Sequence, residues 1–230
     1  MTRIPRSCLV VAATVLVLGG QVASASAALL WKDGFSGNEL RPAWTELDAR
    51  WRVRSGALRV DKATVDDRTH VGYAVVDLGG SHRSGLRVSS QIRLSPGKSN
   101  VGLVAPFRDV GNHLFCKVEI TPGHPDGKAA MGRRSRGGRP TLLRAIGGLG
   151  LHKGAVYRLT IERRHRIVAC AVRREGALVT RLRYTMTAKD LRAFGRGTKV
   201  GVRIKVIDGA IGDDEDDGRS RFLDFRAMTA

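Results

Sequence analysis

Aromatic side chains are scarce in this chain. Three Trp, three Tyr and six Phe among 230 residues make up 5%, so a binding surface built on many exposed rings is not written into the composition. Acidic residues are scarce as well. Asp and Glu number 21 against 40 Lys and Arg, a formal charge of +19. Such a balance attracts anions but does not choose among nucleic acid, acidic polysaccharide and a charged cell envelope. No collagen-like repeat or coiled-coil signature is present, and no apolar run reaches the roughly 20 residues that span a bilayer. What is abundant is apolar residue, 42% of the chain. That is too much for general disorder, and the length is ample for one core.

The first 27 residues read as an export signal. Arg3 and Arg6 precede an apolar stretch over 8–18, broken only by Thr14, and small residues follow at Ala23, Ser24, Ala25, Ser26 and Ala27. A short basic start, an apolar run of this length and a small-x-small end define a secretory signal peptide. Cys8 sits at the start of the apolar run, which argues against lipid attachment after cleavage. The expected organisation is a signal peptide over 1–27 and one domain over 28–230, secreted and without a transmembrane segment. Removing the signal leaves 38 Lys and Arg against 21 Asp and Glu, so +17 remains. Two cysteines also remain, Cys116 and Cys170. In an oxidising compartment they are expected to form a disulfide rather than stay as buried thiols. Such a bridge closes a loop of about 54 residues, worth on the order of 4 kcal/mol in the chain-entropy model.

The rest of the chain alternates with period two. Trp51-Arg52-Val53-Arg54, then Ser55-Gly56, then Leu58-Arg59-Val60 predict a hairpin with one dry and one wet face. Apolar residues of one parity recur at Leu86, Val88, Ile92 and Leu94, at Val101, Leu103, Ala105 and Phe107, and at Leu114, Cys116, Val118 and Ile120. They recur again at Tyr157, Leu159 and Ile161, at Val168, Cys170 and Val172, at Leu178, Leu182, Tyr184 and Met186, and at Val200, Val202, Ile204 and Val206. Gly-, Pro- and Asn-rich turns separate the runs. Short strands of this kind predict an all-β antiparallel sandwich or barrel. Both cysteines share parity with apolar neighbours, so both should face inward. Residues 188–194 are the one modest helical candidate. The Gly- and Arg-rich stretch 128–139 and the acidic run 213–217 read as loops between strands.

The opening Trp31-Lys32-Asp33-Gly34-Phe35, the Trp51/Val53–Leu58 hairpin, Lys199-Val200-Gly201-Val202-Arg203 and Phe222-Leu223-Asp224-Phe225-Arg226 resemble the concanavalin A-like lectin/glucanase superfamily, in particular laminin-G-like jelly-roll modules of secreted bacterial proteins. The resemblance covers nearly all of the mature chain and implies a two-sheet jelly roll whose first and last strands lie together, with Asp33 near Asp224. Glucanase-type members carry a Glu-x-Asp-x-x-Glu strand, and none of the six mature glutamates at 39, 46, 119, 162, 175 and 215 falls in that pattern. Alginate-lyase-like members carry Gln-Ile-His, where this chain has Gln91-Ile92-Arg93. No Gly-x-Ser-x-Gly turn is present either. No catalytic residue is therefore assigned.

The histidines at 70, 82, 113, 124, 152 and 165 form no close-spaced pair of the kind zinc uses. No cofactor is implied, although calcium would suit the hard oxygens of the acidic run, and the resemblance suggests Asp33 and Asp224 as a separate calcium pair. The alternatives are a solvated loop in the first case and pairing with turn backbone in the second. Sugar recognition is what the resemblance implies, but rings, Asn and Gln are few. Arginine is plentiful, and its planar fork suits carboxylate, sulfate or phosphate. Residues 126–175 hold 13 Lys and Arg against three acids. Arg133, Arg134, Arg136 and Arg139, with Arg163 and Arg164 at an expected hairpin tip, are the candidate ligand-binding residues. The function read from the sequence is thus a secreted, non-catalytic carbohydrate- or cell-envelope-binding module that prefers anionic polymers. The alternatives are a polysaccharide hydrolase or lyase with divergent catalytic residues, and a structural domain without ligand. Nucleic acid is the poorer partner, because export separates it from the cytosol and no rings interleave with the arginines.

Overall fold

A computed structural model describes residues 27–61, 70–80, 85–205 and 220–230. The expected signal segment (Ala27 apart), His82, the 208–209 turn and the acidic run 213–217 lie outside the described residues. In chain order the strands are β1 (Leu29–Asp33), β2 (Trp44–Leu47), β3 (Arg50–Arg54), β4 (Ala57–Asp61), β5 (Val71–Asp77), β6 (Gly85–Arg93), β7 (Ser99–Asp109) and β8 (Asn112–Thr121). There follow β9 (His124–Arg134), β10 (Thr141–Gly147), β11 (Val156–Arg164), β12 (Ile167–Arg174) and β13 (Ala177–Thr185). The helix α1 (Ala188–Ala193), β14 (Lys199–Lys205), β15 (Arg221–Phe222) and β16 (Phe225–Met228) complete the chain. No helix among the described residues is long and apolar enough to cross a membrane.

The strands form two antiparallel sheets. One runs β13-β12-β11-β6-β15-β4-β3, with β16 also on β6 and β1 on β16. The other runs β10-β9-β8-β7-β14-β5-β2. The sheets stack as an antiparallel sandwich, which the alternation predicts, and it is a jelly roll of the concanavalin A-like kind, which the resemblance implies. Their inner faces carry the core: Leu103, Leu114, Val118 and Val202 from one sheet meet Val88, Leu159, Ile161 and Phe222 from the other, all buried. Trp51 pairs Val60 and Val53 pairs Leu58 across the β3–β4 hairpin. Its turn puts both Ser55 and Gly56 at positive φ, the backbone of a tight type I′ connection.

Cys116 on β8 and Cys170 on β12 form a disulfide, with Cα atoms 5.7 Å apart. It joins one sheet to the other. β1 and β16 pair, with Asp33 opposite Phe225, so these two strands lie together as the resemblance implies. The helical candidate forms α1, whose N-cap Thr187 and Asp190 exchange side chain–backbone hydrogen bonds in a capping box.

Two expectations are corrected. Residues 128–134 are not loop but part of β9, with Ala129, Ala130 and Met131 buried. Their weak β-propensity is overridden by pairing on both sides. Gly132 is needed there, because a Cβ would come within 2.3 Å of the Phe115 ring. Leu178 is half exposed while Leu182 and Met186 are buried. A register shift opposite Val172/Arg173 breaks the parity between them.

Candidate functional site

The outer face of the seven-stranded sheet is not a plain wet surface. Cross-strand register sets Tyr73, Arg203, Gly102 and Lys117 side by side on it. Neighbouring rows place Asn100 beside Glu119 and Lys128, and Phe107 beside His113 and Arg134. Tyr73, Asn100, His113, Phe115, Lys117, Glu119 and Arg203, with Arg134 and Gly137–Pro140 as one wall, line a cleft of about 670 Å³. Beneath it Val71, Tyr73, Val75, Val104, Phe107 and Phe115 form a second apolar cluster, separate from the main core.

Arg203 is buried in the floor of this cleft. Its guanidinium lies 5.0 Å from the Phe115 ring centroid, donates to Asn100 Oδ1 at 3.2 Å and hydrogen-bonds the Tyr73 side chain. Burial pulls its pKa below the ordinary arginine value, but a guanidinium still stays charged. It has no carboxylate salt bridge among the described residues. The cleft's carboxylate, Glu119, accepts from Lys117 and from Asn100 Nδ2 at 3.0 Å, with Lys128 Nζ at 3.5 Å. Burial works to raise the Glu119 pKa, but the Lys117 hydrogen bond and the charges of Lys117 and Lys128 outweigh it and hold the carboxyl below its usual range. Burial lowers the Lys117 pKa, partly offset by Glu119.

His113 is stacked on Phe107 at 5.1 Å and meets Tyr73 edge-on at 5.3 Å. Burial pushes its pKa down to about 3, so the ring is neutral near pH 7. Its Nδ1 lies 3.2 Å from the Asp109 carbonyl oxygen, which places the proton on Nδ1.

The six arginines singled out from the sequence do not form one patch. Arg133 pairs across the sheet with Leu114 and so has core parity. It reaches α1 at the end of the sandwich, where it binds Asp190. Burial alone would raise the Asp190 pKa, but hydrogen bonds from Tyr184, Thr187 and Arg133 lower it. Arg163 shares parity with Leu159 and Ile161. It is buried and donates to the carbonyls of His165 and Gly195. Arg134 and Arg139 line the cleft, whereas Arg164 lies on the opposite sheet and pairs with Glu162 at 2.6 Å. Arg136 is exposed at the tip of the turn, its N–H held by Asn112 Oδ1.

Asp33 accepts from the Phe35 N–H at 2.8 Å and from Trp44 Nε1 at 2.9 Å. Asp224 accepts from the Gln91 N–H at 2.5 Å and from Arg158 at 3.2 Å. Each carboxylate thus has protein donors, and no group of three or more candidate metal ligands occurs among the described residues.

Sequence reasoning missed Tyr73, Asn100, His113, Phe115, Lys117, Glu119 and Arg203. The signal was present in β8. Leu114, Cys116, Val118 and Ile120 mark its inward parity, so His113, Phe115, Lys117 and Glu119 had to share the opposite face.

The fold and this cleft-bearing sheet define the concanavalin A-like sandwich class. No protein-family model and no curated protein sequence matches the chain. Among solved structures it resembles a GH43 protein (BlXynB, K247S mutant) of Bacillus licheniformis, with 16% identity and TM-score 0.59 over 86% of this chain. The match covers 39% of that protein, so the chain spans about two fifths of its length. It also resembles an endo-1,3-β-glucanase of Streptomyces sioyaensis, with 12% identity and TM-score 0.56 over 89% of this chain and 96% of that one. A third is the CBM2 module of the evolved Dit protein of Lactobacillus casei BL23 phage J-1, with 6% identity and TM-score 0.61 over 88% and 96%. At these identities the likeness is one of fold.

Proposed function

We propose that this chain is a secreted carbohydrate-binding module whose cleft on the seven-stranded sheet takes an anionic sugar. The supporting observation is the charge arrangement there. Arg203 sits in the floor with neutral partners among the described residues, while the one carboxylate among the described lining residues, Glu119, is held by Lys117, Asn100 and Lys128. A uronate or sulfated sugar would give Arg203 a bidentate partner that no described residue supplies. Acid–base hydrolysis needs two carboxyl groups flanking one bond, and a single ion-paired glutamate is a poor start. The solved structures of similar fold include carbohydrate-binding and carbohydrate-cleaving proteins, which agrees with a sugar ligand for either reading.

One arrangement favours a second reading. Tyr73, neutral His113 and Arg203 adjoin one another. Elimination from a uronate would use a cation to neutralise the carboxylate, a nearby base to take the C5 proton as the C4–C5 double bond forms, and a proton donor for the glycosidic oxygen that leaves C4. A glycan array at low and high salt, followed by incubation with uronate polymers, separates the two. Salt-sensitive binding to acidic glycans that Lys117→Ala and Arg203→Lys weaken, without products, supports the module. Release of unsaturated uronate products, seen by their conjugated absorbance, overturns it. A preference for neutral glycans removes the anionic part of the proposal.

A further inference from the structure

The opposite face of the sandwich carries a second basic feature that the cleft does not absorb. On the nine-stranded sheet, register aligns Arg183, Ala169, Glu162 and Arg87 in one row across β13, β12, β11 and β6. The next row aligns Arg181, Ala171, Thr160 and Ser89 and continues to Arg226 on β16. Ala169 and Glu162 therefore occupy the middle of the first row and Ala171, Thr160 and Ser89 that of the second, with arginines at the ends. The result is a trough. Two adjoining hollows of about 420 and 320 Å³ share Arg87, Glu162, Ala169 and Arg181. Arg164 lines one end, and Arg158 and Arg173 the other. At about 3.3 Å per residue, the six steps from Ile167 to Arg173 make it roughly 20 Å long.

The charges of the trough are one-sided. Among the described lining residues, six arginines (87, 158, 164, 173, 181 and 183) face one carboxylate, Glu162. Glu162 is shared by Arg87 at 3.0 Å and Arg164 at 2.6 Å, while Arg158 is held by Asp224 beyond the rim. Arg173, Arg181 and Arg183 are exposed and make no ion pair with a described residue. We propose that this trough is a docking surface for a linear acidic polysaccharide, independent of the cleft. Charge complementarity along an open channel suits a chain with regularly spaced carboxylates or sulfates, gripped from both sides by guanidinium forks. No aromatic residue lines it, so it offers no platform on which nucleic acid bases would stack.

The test compares two triple variants of the full chain that lose equal charge. Arg173→Ser/Arg181→Ser/Arg183→Ser empties the trough of its arginines without ion pairs. Arg108→Ser/Arg192→Ser/Arg196→Ser removes exposed arginines around α1, away from it. Binding to polygalacturonate and to dextran sulfate is measured by calorimetry across a salt series, with thermal melts confirming that both variants fold. The trough variant is expected to lose about tenfold to a hundredfold in affinity for at least one polymer. Its slope of log K against log salt is expected to shrink by about two to three. The control variant is expected to change less than about threefold. Equal losses in the two variants, or none in the trough variant, overturn the inference, as does tighter binding of DNA or RNA than of both polysaccharides. Loss of polymer binding in Lys117→Ala alone would also overturn it while leaving the cleft reading intact.

Discussion

The two outer faces of this sandwich are both basic, yet they hold their cations in different ways. On the seven-stranded sheet Arg203 and Lys117 are sunk among rings and amides, each tied to neighbours that would lose a partner if it left. On the nine-stranded sheet Arg181 and Arg183 stand in solvent over a floor of alanine. The first arrangement fixes its charges in place at the cleft, so that they support the fold and stand preorganised for a ligand. The second leaves it available to a partner and exposed to screening by salt. Net charge, the same sign on both faces, does not distinguish these roles; burial and hydrogen bonding do.

Four measurements probe that contrast. The largest effect is expected where both faces share one support. Replacing Cys116 and Cys170 by Ala removes the cross-link between sheets and should cost about 4 kcal/mol in urea unfolding. A loss below about 1 kcal/mol would mean that core packing alone holds the sheets together. Next, Glu119→Gln strands Lys117 and Lys128 and should cost about 2 kcal/mol. Its counterpart on the other face, Glu162→Gln, breaks surface pairs and should stay within about 1 kcal/mol. Equal costs would erase the distinction between the faces.

The third measurement is pH dependence. His113 refuses a proton in the fold until about pH 3, against an ordinary value of 6.5. Below pH 6.5 the unfolded chain binds a proton that the folded chain does not, so stability falls with falling pH. The loss at pH 5.5 is about 1.4 kcal/mol and deepens toward pH 3. Glu119 and Asp190, whose pKa values are lowered, shift the balance in the same direction at more acidic pH. A His113→Phe variant that keeps the full decline between pH 7 and 5 would place the cause elsewhere. The smallest effect is Arg181→Ser, expected within about 0.5 kcal/mol of wild type by thermal melt. A larger loss would show that the trough arginines also hold the fold.

Much of the fold was legible in the sequence, because burial on one side of a strand writes itself as period two. The Trp51–Val60 hairpin, the inward cysteines and the helix at 188–194 all follow from local pattern. β9 and β10 did not, because Ala, Gly and Arg carry little strand signal and the pairing with their chain neighbours leaves no period of its own in the sequence. The site was less legible for a related reason. Charge density drew attention to the cluster from Arg133 to Arg139, but parity sends Arg133 toward α1 and Arg134 to the cleft. It also buries Arg163 beside Gly195. The residues that line the cleft come from six strands spread between Val71 and Lys205, and none is unusual alone. Arg203 appears in the sequence as one more polar position in an alternating strand. Only the register beside Tyr73 and Gly102 makes it a floor residue.

Strand β8 carries this logic furthest. Its even positions supply the core and one half of the disulfide, and its odd positions supply His113, Phe115, Lys117 and Glu119 to the cleft. Both sets are fully committed, so the strand cannot change length. One residue gained or lost within it would turn Cys116 away from Cys170 and drive a glutamate into the interior. The turns at 122–123 and 175–176 carry no such double duty. Insertions and deletions in a randomised library of this protein should survive there and be purged from 113–119, which makes β8 a ruler against which the rest of the chain can drift.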